Sequence, residues 1–123
     1  MTKDCCLTIE TRTAQSEAVI TETKARYCRK GGRHHILFDI EGDRCRIGFD
    51  DNSLLYKRTG VLSYELSLIS GKTTDAEMST PYGRTGITCT TRKYEIRTER
   101  DGFIIETDYD IADERYEMKI RLS

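Results

Sequence analysis

The feature that most constrains the fold of this chain is a two-residue alternation of apolar and charged side chains. From Tyr116 to Leu122 every second residue is apolar, and each residue between them is charged. A helix would scatter these apolar side chains around its circumference, whereas a strand places them on one face. The alternation recurs over residues 103–111, 62–68, 36–40 and, more weakly, 19–27. The pattern predicts half-buried β-strands.

Turn-forming residues separate the alternating runs, as at Lys30-Gly31-Gly32 and Arg100-Asp101-Gly102. Gaps of about 8 to 12 residues are typical of antiparallel strands that follow one another in sequence. Between Arg84 and Thr98 the apolar parity changes near Thr91-Arg92-Lys93, which predicts a bulge or a sharp bend. We predict one all-β domain over residues 1–123, an antiparallel up-and-down barrel of about eight to nine strands. A two-sheet sandwich is the alternative.

Charge and length exclude several classes of protein. The 123 residues carry 20 basic and 21 acidic side chains, a net charge of −1. A protein that binds nucleic acid through phosphates usually has a basic excess or stripe, and we expect no nucleic-acid partner. There is no apolar run of the roughly 20 residues that a membrane helix needs, so no membrane association is expected. The segment from Met1 to Thr8 lacks the apolar stretch of a secretion signal, which favours the cytoplasm.

An ordered set of motifs in the second half of the chain resembles the YwiB-like family. The set comprises Arg58-Thr59-Gly60 before a hairpin, Thr80-Pro81-Tyr82-Gly83 before a long strand, and Glu106-Thr107-Asp108-Tyr109-Asp110 at the end of its partner. The family consists of small bacterial proteins of unknown function with a calycin, or lipocalin-like, β-barrel. The resemblance implies a single lipocalin-like barrel over residues 1–123 and carries no reaction with it. Proteins with such barrels often bind small apolar ligands in the interior.

Metal-binding and catalytic motifs are weak in this sequence. His34 and His35 are adjacent, so on a strand they point to opposite faces and cannot share one metal. The odd number of cysteines and the missing C-x-x-C pair favour reduced structural thiols, listed as Cys5, Cys6, Cys28, Cys45 and Cys89. We find no nucleophile motif and no phosphate-binding loop. The sequence therefore predicts no enzyme, no cofactor and no metal site.

Three acidic residues, Glu106, Asp108 and Asp110, form a stripe on one face of one strand. They alternate with the apolar set, so we expect them outside the barrel, paired with basic residues of neighbouring strands. A catalytic carboxylate pair would instead need a buried member with a raised pKa. The predicted basic partners are Arg92, Lys93 and Arg97 on one side, or Arg115, Lys119 and Arg121 on the other.

The barrel interior is the predicted ligand site, since about eight strands leave space either for packed side chains or for one small molecule. Thr21 and Thr23 on one wall would give that site some polar character. The resemblance adds Arg58, which would close one end by hydrogen-bonding backbone carbonyls, and Tyr82, which would cover the adjacent rim. The predicted ligand-binding residues are Phe38, Arg58, Tyr64, Tyr82, Phe103, Tyr109 and Tyr116. The competing hypothesis is an interaction or dimerisation module with a filled barrel; an enzyme with an unrecognised site is a third.

Overall fold

The computed structural model describes residues 2–123, which form ten antiparallel strands closed into one barrel. Each strand pairs with the next in sequence, and β1 pairs with β10 to complete the closure. The predicted all-β barrel is confirmed, with ten strands in place of eight or nine, and the sandwich alternative is wrong. The strands are β1 (Lys3–Thr13), β2 (Ser16–Lys30), β3 (Arg33–Ile40), β4 (Asp43–Phe49), β5 (Ser53–Thr59), β6 (Ser63–Ile69), β7 (Thr73–Thr80), β8 (Gly83–Glu99), β9 (Gly102–Ile111) and β10 (Glu114–Leu122).

Three hairpins turn through two residues that both have positive φ. The pairs and their φ angles are Gly31 and Gly32 (62° and 79°), Glu41 and Gly42 (51° and 85°), and Ala112 and Asp113 (50° and 66°). Two consecutive residues of positive φ define the tight turn whose twist matches that of paired strands. Glycine adopts this backbone without strain, so the Glu41 turn has one strained position and the turn at Ala112 and Asp113 has two.

The predicted bulge lies on β8. The register between β8 and β9 shifts between Thr91 and Lys93, where the sequence changes its apolar parity. Because of this shift, Cys89 and Thr91 on one side of the bulge and Tyr94 on the other are all buried. The bulge therefore lets one long strand keep its apolar side chains inside a coiled sheet.

Two ladders of the barrel are short. Strands β2 and β3 pair from Lys30 opposite Arg33 to Arg26 opposite Leu37 and then separate, although both continue. Strands β6 and β7 pair only through Ser63 with Ser79 and Tyr64 with Met78 within the described chain. The β2–β3 and β6–β7 seams are thus the least hydrogen-bonded parts of the wall.

The antiparallel order gives the barrel two distinct ends. The turns after β1, β3, β5, β7 and β9 lie at one end, here called the upper end; the other turns and both termini lie at the lower end. Buried apolar side chains from all strands but β7 form one contiguous core between them. Leu62, predicted to begin the alternation of β6, lies in the turn before that strand.

Candidate functional site

Aromatic side chains fill the lower end of the barrel. The His34 ring stacks on Phe49 with centroids 4.8 Å apart, and Phe103 lies 4.7 Å from the same imidazole. The hydroxyl of Tyr27 is 2.5 Å from Nδ1 of His34, in hydrogen-bond contact. Burial, and then the charge of Arg29, lowers the pKa of His34, which favours its neutral form. This end is therefore a packed aromatic layer.

Four tyrosines pack in two stacked pairs toward the upper end. Tyr56 and Tyr64 have centroids 5.7 Å apart, and Tyr109 and Tyr116 have centroids 5.4 Å apart. Burial raises the pKa of Tyr56 and Tyr109 most strongly, with smaller contributions from neighbouring phenol and thiol groups. These phenols stay protonated at neutral pH and cannot act as bases there.

Arg58 lies inside the upper end and binds a carboxylate. Its Nε donates to Oδ2 of Asp43 at 2.8 Å, while the backbone N–H groups of Val61 and Leu62 donate to the same carboxylate at 3.0 and 3.3 Å. Asp43 is 3% exposed, so these donors replace the water it loses. The predicted bonds of Arg58 to backbone carbonyls are wrong: within the described residues its Nε binds the buried Asp43 carboxylate, and a terminal nitrogen lies 3.9 Å from the carboxylate of Glu41.

Tyr82 does not cover the rim of the barrel. Its side chain is fully exposed in the turn between β7 and β8, where Thr80 Oγ1 accepts a hydrogen bond from the Tyr82 backbone N–H. The turn directs the side chain into solvent. The other six predicted residues face inward, but Phe103 lies at the lower end, whereas Arg58, Tyr64, Tyr109 and Tyr116 lie toward the upper end. They do not form one site.

Side chains pack the centre of the barrel. Nine core residues spread along the interior are at most 1% exposed: Leu7, Ile36, Ile47, Phe49, Leu54, Leu68, Cys89, Ile105 and Ile120. The best-formed cavities within residues 2–123 are clefts open to the outside, each with charged side chains in its lining. These open clefts lie at the wall of the barrel.

The β2–β3 seam carries a cleft of about 630 Å³. It begins where the β2–β3 ladder ends, so the edges of the two strands are left unpaired with each other. We call it the seam cleft. Its less polar lining comes from Cys5, Ala25, Leu37 and Phe38; Thr23, Cys6 and Ser123 add small polar groups; and its charged residues are Asp4, Lys24, Arg26 and Asp39. Of the predicted ligand-binding residues it contains Phe38, together with the predicted polar wall residue Thr23.

The histidines and cysteines take the places that their sequence positions predict. His34 points inward, whereas His35 lies on the outer face against Gly48. All five thiols are free, with Cys45 and Cys89 buried and Cys6 exposed. Within the described residues no three histidine, cysteine or carboxylate side chains converge, and no helix could cross a membrane.

The acidic stripe on β9 lies outside and is paired on both sides. Arg97 donates to Glu106 at 3.3 Å and Arg92 to Asp110 at 2.5 Å, both from β8. Arg115 of β10 binds Asp108 through Nε at 2.9 Å and through a second nitrogen. The Arg115 hydrogen bond lowers the pKa of Asp108, the opposite of a catalytic acid. The prediction of an ion-paired outer face is confirmed for Arg92, Arg97 and Arg115, and the three acids are half-buried. Within the described residues, the predicted partners Lys93, Lys119 and Arg121 make no ion pair with the stripe.

Sequence reasoning missed Asp43 and the seam cleft. Glu41-Gly42-Asp43 reads as a turn, and no local signal shows that its last residue is buried beneath Arg58. The cleft depends on where one ladder stops, which is a property of the register between β2 and β3. Alternation indicates which face a residue takes and does not indicate how far two strands stay paired.

Comparison with known proteins places most of the chain in one family. The profile described as "Domain of unknown function (DUF1934)" matches residues 7–121. A search of curated proteins gives no match. Among solved structures, the crystal structure of ywiB protein from Bacillus subtilis is similar, with a TM-score of 0.91 and 15% identity over 99% of this chain and 92% of that chain. At this identity the likeness shows a shared barrel fold.

Proposed function

The chain belongs to the DUF1934 family, and we propose that it binds a small apolar or amphipathic molecule in the seam cleft without catalysing a reaction. The observation that carries the proposal is the early end of the β2–β3 ladder at Arg26 and Leu37. In a barrel whose centre is packed, this is where the wall opens beside core residues. The proposal moves the predicted interior site to the wall and keeps Phe38 in it.

The size and lining of the seam cleft suit a small amphipathic ligand. Its volume of about 630 Å³ lies within the roughly 300–1,000 Å³ typical of small-molecule sites. Phe38 and Ala25 are 6% and 5% exposed, so they offer an apolar floor that is already ordered. Lys24, Arg26 and Asp39 are exposed and can orient a polar end of the ligand. An ordered floor lowers the entropic cost of binding.

A binding role rather than an enzymatic one fits the titratable groups. The pKa values displaced furthest belong to the core tyrosines Tyr56, Tyr94 and Tyr109, and burial raises them. A phenol held protonated by burial is suited to packing and hydrogen bonding, as where Tyr94 donates to the Asp50 carbonyl at 2.8 Å. The proposal includes a cytoplasmic location, where five free thiols stay reduced.

Native mass spectrometry of protein purified from its own host tests the proposal. The informative variant is Thr23→Trp, because an indole at this half-buried position would fill the seam cleft. Thr98→Trp adds the same side chain at an exposed position of β8 and serves as the control. We expect one small molecule to co-purify with the wild type and T98W and to be lost from T23W. Repeated purification without an adduct, or an adduct retained by T23W, would overturn the proposal.

A further inference from the structure

Seven basic residues share one outer face of the barrel. They occupy outward positions on β2–β5 and are Lys24, Arg26, Lys30, Arg33, Arg44, Arg46 and Lys57. We call this surface the basic face. All but Arg33 are exposed, and Arg33 is half-buried. The net charge of the whole chain is close to zero and does not show this segregation, because it adds the charges on both sides of the barrel.

The strand register aligns part of the basic face in one row. Arg26 lies opposite Leu37, Leu37 opposite Arg46, and Arg46 opposite Lys57. Neighbouring strands are about 4.8 Å apart, so the row spans about 14 Å across the sheet. The row has an acidic residue at each end: Asp4 of β1 lies opposite Arg26, and Glu65 of β6 lies opposite Lys57.

The basic residues of this face have few acidic partners. Among the outward positions of β2–β5 the acidic residues are Glu22 and Asp39. Asp4 of β1 lies opposite Arg26, and Arg33 binds Asp50 of the β4–β5 turn at 2.6 Å. Within residues 2–123, the other six basic side chains have no carboxylate within 4.0 Å. On β8–β10, by contrast, each acid of the stripe has an arginine partner.

The centre of the basic face is shallow and positively charged. Gly48 has no side chain, and Nδ1 of His35 and a terminal nitrogen of Arg33 lie 3.5 and 3.8 Å from where its Cβ would be. Burial lowers the pKa of His35, and the charges of Arg46, Arg33 and Lys30 lower it further. Three cations thus act on one imidazole, as expected of a region of positive potential.

We propose that the basic face binds the phosphate backbone of a nucleic-acid strand. A protein partner would favour an apolar or aromatic centre, but the centre here holds His35 and Gly48. A membrane surface would favour apolar side chains that insert, and the large apolar residue exposed among these positions is Leu37, at 39%. Four of the seven cations are arginines, whose planar donors match phosphate.

The binding is expected to be independent of sequence and sensitive to salt. The basic face presents no exposed aromatic residue to stack on a base, so the backbone provides the contacts. For a single strand, each phosphate neutralised contributes about −0.7 to the log–log salt slope. With about six contacts the slope is about −4, so affinity should fall by about 300-fold between 50 and 200 mM salt.

Fluorescence anisotropy with a labelled 20-nucleotide single strand tests the proposal. The variant R46Q/K57Q removes two cations from the row, and K119Q/R121Q removes two from the outer face of β10. Both lower the net charge by two. We expect R46Q/K57Q to weaken binding about tenfold or more at 50 mM salt and to flatten the salt slope by about 1.4. We expect K119Q/R121Q to stay within about twofold of the wild type.

Three results would overturn this proposal: no oligonucleotide binding at 50 mM salt, equal losses in both double variants, or tighter binding of poly-glutamate or phosphatidylserine vesicles than of the oligonucleotide. Arg46 and Lys57 are outside the seam cleft, so R46Q/K57Q should keep any small molecule bound there. T23W should conversely keep oligonucleotide binding. The two proposals can therefore fail separately.

Discussion

Arg58 holds the buried carboxylate of Asp43 through a 2.8 Å hydrogen bond between residues fifteen positions apart. The pair explains the Arg58-Thr59-Gly60 motif. Arg58 supplies the charge, and Gly60 leaves the space, because a Cβ at that position would coincide with the Asp43 carboxylate. The motif therefore forms the binding site for the Asp43 side chain of the preceding hairpin.

Gly60→Ala should destabilise the protein by about 2 kcal/mol, since the added methyl group displaces the Asp43 side chain from its donors. The control is Gly86→Ala on β8, where a Cβ meets no atom within 4 Å. That variant should change the free energy of unfolding by no more than about 0.5 kcal/mol. Urea denaturation measures both. Equal effects at the two positions would show that the space beside Asp43 is unimportant.

The Asp43 site should make stability depend on pH. The Arg58 hydrogen bond, followed by the Val61 N–H, lowers the pKa of Asp43 in the folded protein. The carboxylate therefore stabilises the fold above its unfolded pKa of about 3.9, and this contribution is lost as pH falls through the lower folded pKa. Asp43→Asn should be less stable than the wild type at pH 7 and lose less stability between pH 5 and 2.

Thermal unfolding across that pH range measures the effect, with Asp39→Asn as the exposed control. The stability of D43N should still fall as the pH is lowered, but less steeply than that of the wild type. Asp50 and Asp108 also have lowered pKa values, through bonds from the Asn52 backbone and from Arg115, respectively. An identical acid decline in D43N and the wild type would contradict this role of Asp43.

Local pattern was sufficient for much of the fold and little of the candidate site. Alternation placed Met118 inside and Lys119 outside, and the parity change located the bulge at Thr91. The alternation predicted too few strands. One strand that it does not reveal is β7, whose inward residues include the small Thr74 and Ala76. The seam cleft and the basic face depend on register and ladder length, which couple residues far apart in sequence.

Thr91→Val should stabilise the protein by about 1 kcal/mol. Thr91 is 1% exposed, and its Oγ1 faces the Cys89 thiol without a well-aligned hydrogen bond, while its backbone bonds Lys72 and Gly71. Valine keeps the shape and removes the unpaired hydroxyl. Thr98→Val, at an exposed position of the same strand, should be close to neutral. A loss of more than about 1 kcal/mol in T91V would indicate that the hydroxyl is paired.

Replacing Ala112-Asp113 by Asn-Gly should add about 1 kcal/mol to the free energy of unfolding, because both positions have positive φ and neither is glycine. The matched control is Ala14→Asn with Gln15→Gly in the β1–β2 turn, which has no residue of positive φ. That change should give no gain. Guanidinium denaturation measures the free energy of unfolding of both variants. An equal gain in both would mean that the Asn-Gly sequence, and not relief of backbone strain, stabilises the protein.

Iodoacetamide labelling should separate the five thiols by their position in the barrel. Cys6 is exposed and should react first in the native protein. Cys45 and Cys89 are 3% and 0% exposed, and burial raises the pKa of both thiols, which disfavours the reactive thiolate. Each should react about 10³-fold or more slowly than Cys6, since labelling must wait for the wall to open.

The order of the two buried thiols tests which part of the wall opens first. Cys89 lies opposite Thr74 of β7, and β7 is joined to β6 by two residue pairs. Cys45 lies on β4, which pairs along most of its length with β3 and β5. Cys89 should therefore label faster than Cys45, as followed by mass spectrometry of peptides. Equal rates would mean that both thiols are exposed by global unfolding, so that the short β6–β7 ladder does not open independently.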